Sequence, residues 1–263
     1  MVPIMTEFIQ NEEEIIEGVV GFIREEVTKS GSKGVVIGLS GGIDSAVVAY
    51  LSVLAVGKEN VSLIHIPENE LDPIHTEDAK SIAKELEVEL KIIDISAVID
   101  SMTKLLPELK DNKLAKGNLK ARNRTVILYA IANIENRLVL GPSNKSEIEI
   151  GYGTKYGDLA ADLWPIAEIY KTELYRIAEK LGVGRKIIEK SPTAGLWANQ
   201  TDEEEIGISY YKLDKLLLGL EQKMETNILI EKIQISGKQL QKIKAMIRSS
   251  AHKQKMPKKY KIR

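Results

Sequence analysis

The chain has no cysteine in its 263 residues. That excludes a thiolate nucleophile, a disulfide framework and cysteine-ligated zinc or iron–sulfur centres. Charge of one sign is also missing: 37 basic against 38 acidic side chains leave a net −1, so the chain as a whole has no electrostatic reason to bind nucleic acid. No apolar run approaches the roughly 18 residues that a spanning helix requires, and no membrane partner is expected. The opening MVPIMTEFIQNEEE carries neither a basic segment nor a long apolar core and does not read as a secretory signal. A cytoplasmic setting is the expectation. There is no internal repeat and no low-complexity linker, and the length suits one large domain or two small ones.

What is present alternates helix and strand patterns. Ile16, Val19, Val20, Ile23 and Val27 recur at helical spacing, which predicts an amphipathic helix near 12–29 whose stripe is more often core than interface. Apolar runs predict strands near 34–39, 61–66, 90–95 and 138–140, with helices near 97–106 and 117–134. Thr76, followed by Glu77 and Asp78, reads as another helix start. This order predicts a parallel, doubly wound sheet with helices on both faces, and places ligands at the carboxyl ends of its strands.

The stretch Leu39-Ser40-Gly41-Gly42-Ile43-Asp44-Ser45 falls at such an end, where the first strand passes directly into a helix. Two glycines let backbone approach a ligand closely, and the helix start aims free N–H groups at the same point. Asp44 would repel a bare phosphate, but suits a divalent cation lying between carboxylate and phosphates, as in Mg-ATP. The loop has no Gly-Lys-Ser/Thr ending and is not G-x-G-x-x-G. Ser-Gly-Gly-x-Asp-Ser instead resembles the pyrophosphate loop of enzymes that cleave ATP between its α- and β-phosphates. The bland alternative is a tight turn with no ligand.

The second half holds four glycines and two prolines over 141–165, which predicts a long irregular segment of the kind that is usually functional. It carries Lys145, Glu147, Lys155, Asp158 and Asp162. Beyond it, Ser191–Trp197 forms a further loop before Gln200-Thr201-Asp202-Glu203-Glu204-Glu205, which reads as a capped, acidic helix start. His65 and His75 read as turn residues at the mouth of the sheet.

With these segments in order, the chain resembles the ammonia-dependent NAD synthetases. The matching pieces are Gly38–Ser45, Gly117–Arg124, Asn144–Glu147, Gly151–Asp158 with Asp162, Pro165 with Tyr170-Lys171-Thr172, Ser191–Asp202, and His252-Lys253. Together they cover most of the chain. The resemblance implies an adenine nucleotide alpha hydrolase-like fold and one synthetase domain over 1–263. Within it, 1–30 would be an N-terminal helix, 31–200 the ATP-pyrophosphatase core, and 201–263 a helical part ending in a basic tail. It implies conversion of deamido-NAD to NAD with ATP, ammonia and Mg²⁺, through an acyl-adenylate.

Carried onto these residues, the resemblance makes Gly38, Leu39, Ser40, Gly41, Gly42, Ile43, Asp44 and Ser45 the cradle of the ATP phosphates, with Lys171 and Thr193 also on ATP. Asp44 and Glu147 would hold Mg²⁺, and Asp44 and Lys171 would be catalytic. Arg122, Lys155, Asp162, His252 and Lys253 would bind deamido-NAD. Basic residues on helices and loops are otherwise usually solvated. A homodimer is implied, and with neither length nor cysteine for an amidase domain, ammonia is free or comes from a separate glutaminase partner. The chain departs from the family at Pro142, which offers neither hydroxyl nor N–H, and in the acidic run His65–Glu70. Lys258, Lys259, Lys261 and Arg263 have no assigned role. Two further readings are another adenylating enzyme of the pyrophosphate-loop group and a nucleotide-binding regulator without turnover.

Overall fold

Val35, Val36 and Ile37 form the centre of the sheet, and all three are fully buried. A strand covered on both faces has no polar side to show, which is why this run does not alternate. The computed structural model describes residues 11–193, 195, 197 and 201–262. Among them, β1 (Val35–Gly38), β2 (Val61–His65), β3 (Leu90–Ile92) and β4 (Leu138–Leu140) form one parallel sheet in the order β3-β2-β1-β4. Val35 pairs with Val61 on one side and Leu138 on the other, and Ile37 with Leu63 and Leu140.

Alternate residues of the strands feed two cores. Val35, Ile37, Leu63 and Leu140 pack with Ile23 and Val27 of α1 (Glu12–Ser30), with α2 (Ile43–Val56), with α3 (Pro73–Glu85) and with α7 (Lys171–Leu181). Val36, Ile64 and Val139 pack on the opposite face with Ile99 of α4 (Ser96–Leu105) and with Ile131 and Ala132 of α5 (Lys113–Glu135). The doubly wound arrangement with helices on both faces is therefore present, and the α1 stripe is core. A third cluster lies outside the sheet. In it Ile150 of α6 (Lys145–Ile150) meets Leu213, Leu216 and Leu217 of α10 (Tyr210–Glu221), Leu229 of α11 (Thr226–Ile233), and Leu240 and Ile243 of α12 (Gly237–Ser250). Short helices α8 (Arg185–Ile188) and α9 (Asp202–Ile206) complete the order. No helix among the described residues is long and apolar enough to cross a membrane.

Three local expectations are corrected. Thr76 does not open α3: the Asp72 side chain accepts the Ile74 N–H at 2.9 Å and Pro73 stands at the first helical position, three residues earlier. Proline's fixed φ favours that place. β3 stops at Ile92, short of residue 95, because its partner β2 ends at His65. Residues 141–165 are not wholly irregular, since α6 interrupts them.

β1 and β4 are neighbours whose following chains leave on different courses. The crevice at their carboxyl ends is the topological switch point, where open α/β sheets bind ligands.

Candidate active site

The loop after β1 is folded on itself by its serines. Ser45 Oγ donates to Gly42 O at 3.0 Å and accepts the Ser40 N–H at 3.1 Å. Its proton is thus committed, so Ser40 Oγ is the donor in the 3.0 Å contact between the two hydroxyls. Gly41 has φ +79°, and a methyl there would run into the His75 carbonyl oxygen. Only glycine fits on both counts. Gly42 is the N-cap of α2 and no side chain caps that end, which leaves the first N–H groups of a 14-residue helix for an anion. Gly38 ends β1, and Leu39 is buried with its N–H on Ile64 O at 2.8 Å.

Asp44, in the first turn of α2, meets residues from across the crevice. Asn144, just beyond β4, donates from Nδ2 to Asp44 Oδ1 at 2.8 Å. The same Asn144 caps α6: its Oδ1 accepts the Glu147 N–H at 3.0 Å, and its own N–H reaches Glu147 Oε2 at 3.4 Å. This capping box leaves Glu147 Oε1 facing the Lys171 ammonium at 3.9 Å, while Lys171 Nζ contacts Asp44 Oδ2 directly. Lys171 is 1% exposed and lies 5.4 Å from the centre of the Tyr210 ring. Burial and the neighbouring Asp44 push the Glu147 carboxyl well above its usual range. Burial works against the charge on Lys171, but Asp44 and Glu147 outweigh it and raise its pKa.

Two carboxylates thus converge on one positive charge. Hard oxygen donors in that number suit Mg²⁺, which takes few protein carboxylates and keeps phosphate and water oxygens. Among the described residues no group of three or more acidic or histidine side chains forms a closed metal cage.

Lys171 is held in turn from α10. Its N–H donates to Ser146 Oγ at 2.9 Å, and Ser146 Oγ donates to Asp214 Oδ1 at 2.5 Å. Asp214 Oδ2 accepts both the N–H and the hydroxyl of Thr172 at 2.8 Å. Asp214 therefore clamps the starts of α6 and α7 together.

Arg122 of α5, Lys155 and His252 are linked one to the next, and Lys253 follows in the chain. Arg122 Nε donates to Lys155 O at 3.3 Å, and Lys155 Nζ to His252 O at 2.8 Å. Lys253 Nζ donates to Gly151 O and Gly153 O, both at 2.7 Å, which fastens the tail to the glycine segment. Asp162 is placed differently. Its Oδ2 accepts the Val139 N–H at 2.8 Å and its Oδ1 the Tyr129 hydroxyl at 3.3 Å. Burial and Asp162 push the Tyr129 phenol up to about 12, so it remains a donor. Tyr129 is two turns along α5 from Arg122.

Thr193 Oγ1 accepts the Gly195 N–H at 3.1 Å. Ala194, Leu196 and Gln200 of the same motif lie outside the described residues. The acidic helix start is there as α9, but Thr201 supplies no side-chain cap. The acidic run after β2 serves α5: buried Glu68 pairs with buried Lys120 at 2.9 Å, and Glu70 with Lys120 at 2.7 Å. The histidines are not turn residues. His65 ends β2, buried, with Nδ1 on Leu39 O at 2.8 Å and Nε2 on Thr76 Oγ1 at 2.9 Å. His75 lies in the first turn of α3.

A family model described as NAD synthase matches residues 15–257. The chain belongs to the NAD synthase family. Within that family, the NH(3)-dependent NAD(+) synthetase of Methanosarcina mazei is 46% identical over 241 residues, 91% of this chain and 94% of the relative. Two solved structures share the fold throughout. An NMN synthetase from Francisella tularensis has TM-score 0.83 at 31% identity, covering 95% of this chain and 98% of that one. An NH3-dependent NAD synthetase from Campylobacter jejuni, in complex with nitrate, has TM-score 0.80 at 34% identity, covering 96% and 100%. The family resemblance read from the motifs is borne out.

Sequence reasoning left out Asn144 as a bridge and Asp214 as a clamp. Asn144 carried a signal, an Asn with Glu three residues later. Asp214 carried none, being 42 residues from Thr172.

Proposed function

We propose that this chain amidates deamido-NAD to NAD with ATP and ammonia, the last step of NAD biosynthesis. One observation carries the proposal. The uncapped start of α2, Asp44, Glu147 and Lys171 share the switch-point crevice of a NAD synthase-family fold.

A carboxylate is a poor acyl donor because its leaving group would be oxide. In the first step a nicotinate carboxylate oxygen bonds to the α-phosphorus of ATP, and the bond to the β-phosphate oxygen breaks, releasing pyrophosphate. Ammonia then bonds to the acyl carbon, the bond to the AMP oxygen breaks, and a proton is lost to give the amide. Phosphoryl transfer needs positioning and charge neutralisation above all. Gly38 through Ser45 would cradle the phosphates, with Thr193 beside them. Lys171 would meet phosphate as a point charge. Mg²⁺, when bound, would screen the polyphosphate, held by Asp44 and Glu147. Arg122, Lys155, Asp162, His252 and Lys253 would receive deamido-NAD.

The donor is free ammonia, or ammonia handed over by a separate glutaminase. Without a cysteine in the chain the usual thiol route to glutamine hydrolysis is closed. A homodimer is part of the same proposal. Val126, Ala130 and Ile134 make an exposed stripe on α5 at four-residue spacing, continuing from Arg122. A cytoplasmic setting completes it and is tested by cell fractionation.

The test is a product assay with deamido-NAD, ATP, Mg²⁺ and ammonium. NAD, AMP and pyrophosphate in equal amounts, and almost no NAD when glutamine replaces ammonium, are expected. A parallel tube carries the mononucleotide counterpart of deamido-NAD, since one structural neighbour is an NMN synthetase. Turnover of that compound alone would move the substrate reading to the mononucleotide. ATP binding without turnover of either would favour the regulatory reading.

A further inference from the structure

The peptide joining Gly41 to Gly42 is held at both ends. Its carbonyl oxygen accepts from Lys190 Nζ at 3.3 Å, and its N–H donates to Ser40 Oγ at 3.2 Å. A planar trans peptide points its C=O and N–H in opposite directions, so fixing one end fixes the other. The carbonyl faces the protein side, where Asp78 is fully buried, and the N–H faces Ser40, which is exposed. A peptide flanked by two glycines has little steric resistance to turning over. Turned over, it would put a carbonyl oxygen where the loop offers N–H groups, and that oxygen would repel a phosphate.

Lys190 is itself positioned by two residues of α3. Its ammonium lies 2.6 Å from Asp78 Oδ2 and 3.2 Å from His75 Nδ1. An ammonium can only donate, so His75 Nδ1 accepts and the ring proton sits on Nε2. Asp78 Oδ1 is paired at 2.6 Å with Lys186 of α8. The arrangement ties together the loop after β1, the first turns of α3, and the segment that leads from α8 into Thr193. Neither the motifs nor the family resemblance gave Lys190, Asp78 or His75 a role toward ATP.

We infer that Lys190 is a positioning residue for ATP. Held by Asp78, it pins the Gly41 carbonyl away from the phosphate side, so that no carbonyl oxygen turns toward the polyphosphate and the Gly42 N–H keeps that side, on Ser40 Oγ. This rests on the reading of the loop as the ATP phosphate site.

The test compares wild type, Lys190→Met, Lys190→Arg and Asp78→Asn in the full chain. Far-UV circular dichroism and thermal melting come first, then calorimetric titration with Mg-ATP alone and separate KM values for ATP and deamido-NAD. Lys190→Met is expected to weaken Mg-ATP about tenfold, the scale of one lost charge-assisted hydrogen bond, with the KM for deamido-NAD unchanged within about twofold. Lys190→Arg keeps the charge and donors and should recover most of the loss. Asp78→Asn leaves Lys190 in place but unheld, and should weaken Mg-ATP in the same direction.

Unchanged Mg-ATP affinity in Lys190→Met overturns the inference. Tighter binding in Asp78→Asn also overturns it, because a freed lysine would then be a direct phosphate ligand. Equal weakening toward both substrates would show a merely structural residue. If Lys190→Met does not fold, Asp78→Asn and Lys190→Arg decide by the same criteria. No Mg-ATP binding by the wild type would instead sink the functional reading beneath the inference.

Discussion

The Lys171 ammonium sits against the Asp44 carboxylate, two residues 127 positions apart in the chain, with Glu147 Oε1 3.9 Å away. In the proposed reaction Asp44 and Glu147 would hold the cation when it is bound, and Lys171 would meet phosphate as a point charge. Asp44→Asn should therefore lower the rate of pyrophosphate release by about 100- to 1000-fold, the scale of losing one preorganised electrostatic group. The variant should still fold, but with a lowered melting temperature, because the buried Lys171 ammonium keeps only the more distant Glu147 as a carboxylate partner. Normal turnover by this variant would remove Asp44 from the metal role.

Arg122 and Asp162 should separate by readout. Arg122 is exposed and meets only a backbone carbonyl among the bonds described, so Arg122→Ala should raise the KM for deamido-NAD about tenfold while sparing stability and the KM for ATP. Asp162 accepts the N–H of Val139 in the middle of β4. Asp162→Ala strands that N–H and should destabilise the fold by about 1–3 kcal/mol in chemical denaturation, whereas Asp162→Asn should not. Equal losses of stability in the two alanine variants would contradict this difference.

The Lys120–Glu68 pair is buried on both sides, with the side chains 1% and 4% exposed. Removing one partner of such a pair leaves an uncompensated charge and costs about 3–5 kcal/mol. Lys120→Met should lose that much in urea unfolding. Adding Glu68→Gln should restore a large part of it, and failure of the double variant to recover would argue that packing rather than charge dominates.

Burial pushes the Asp214 carboxyl up to about 6, against the opposing hydrogen bonds from Ser146 and Thr172. Its unfolded value is about 3.9, so between those values the folded state holds the proton and the unfolded state does not. This contribution to stability is complete below about pH 4 and is lost as pH rises through about 6, a change of about 3 kcal/mol at most. Asp214→Asn keeps the shape and abolishes the titration. The stability difference between variant and wild type should move in the variant's favour from pH 4 to pH 7, and a pH-independent difference would refute the assignment.

Ile134 is 83% exposed on the α5 stripe with Val126 at 66%. If that stripe joins two copies, Ile134→Glu should shift the sedimentation behaviour from dimer to monomer at micromolar concentration. A monomeric wild type would end the proposal.

Much of the fold was legible in the sequence because its signals are local. Val35–Ile37 and Leu138–Leu140 are uninterrupted apolar runs and could only be buried strands in a chain alternating with helices. The loop from Ser40 to Ser45 announced itself because glycines at a strand-to-helix junction have few other uses. Where signals competed locally, the reading slipped: Thr76 looked like a helix start, but Asp72 and Pro73 formed the better one, and Thr76 bonds His65 instead.

By itself, then, the sequence determined the alternation of strands and helices up to β4, the glycine turn after β1 and the family. Tertiary structure decided which charges meet. The strand order β3-β2-β1-β4 is what sets β1 beside β4. That adjacency brings Asn144 to Asp44 across one hundred residues, and the packing of α10 on α6 and α7 brings Asp214 to Ser146 and Thr172. Coulomb and hydrogen-bond energies depend on distances in space, and a residue's neighbours in the chain do not report them. The chain could therefore name its ionisable groups, while only the fold could say that Lys171 lies between Asp44 and Glu147 and that Lys190 reaches Gly41.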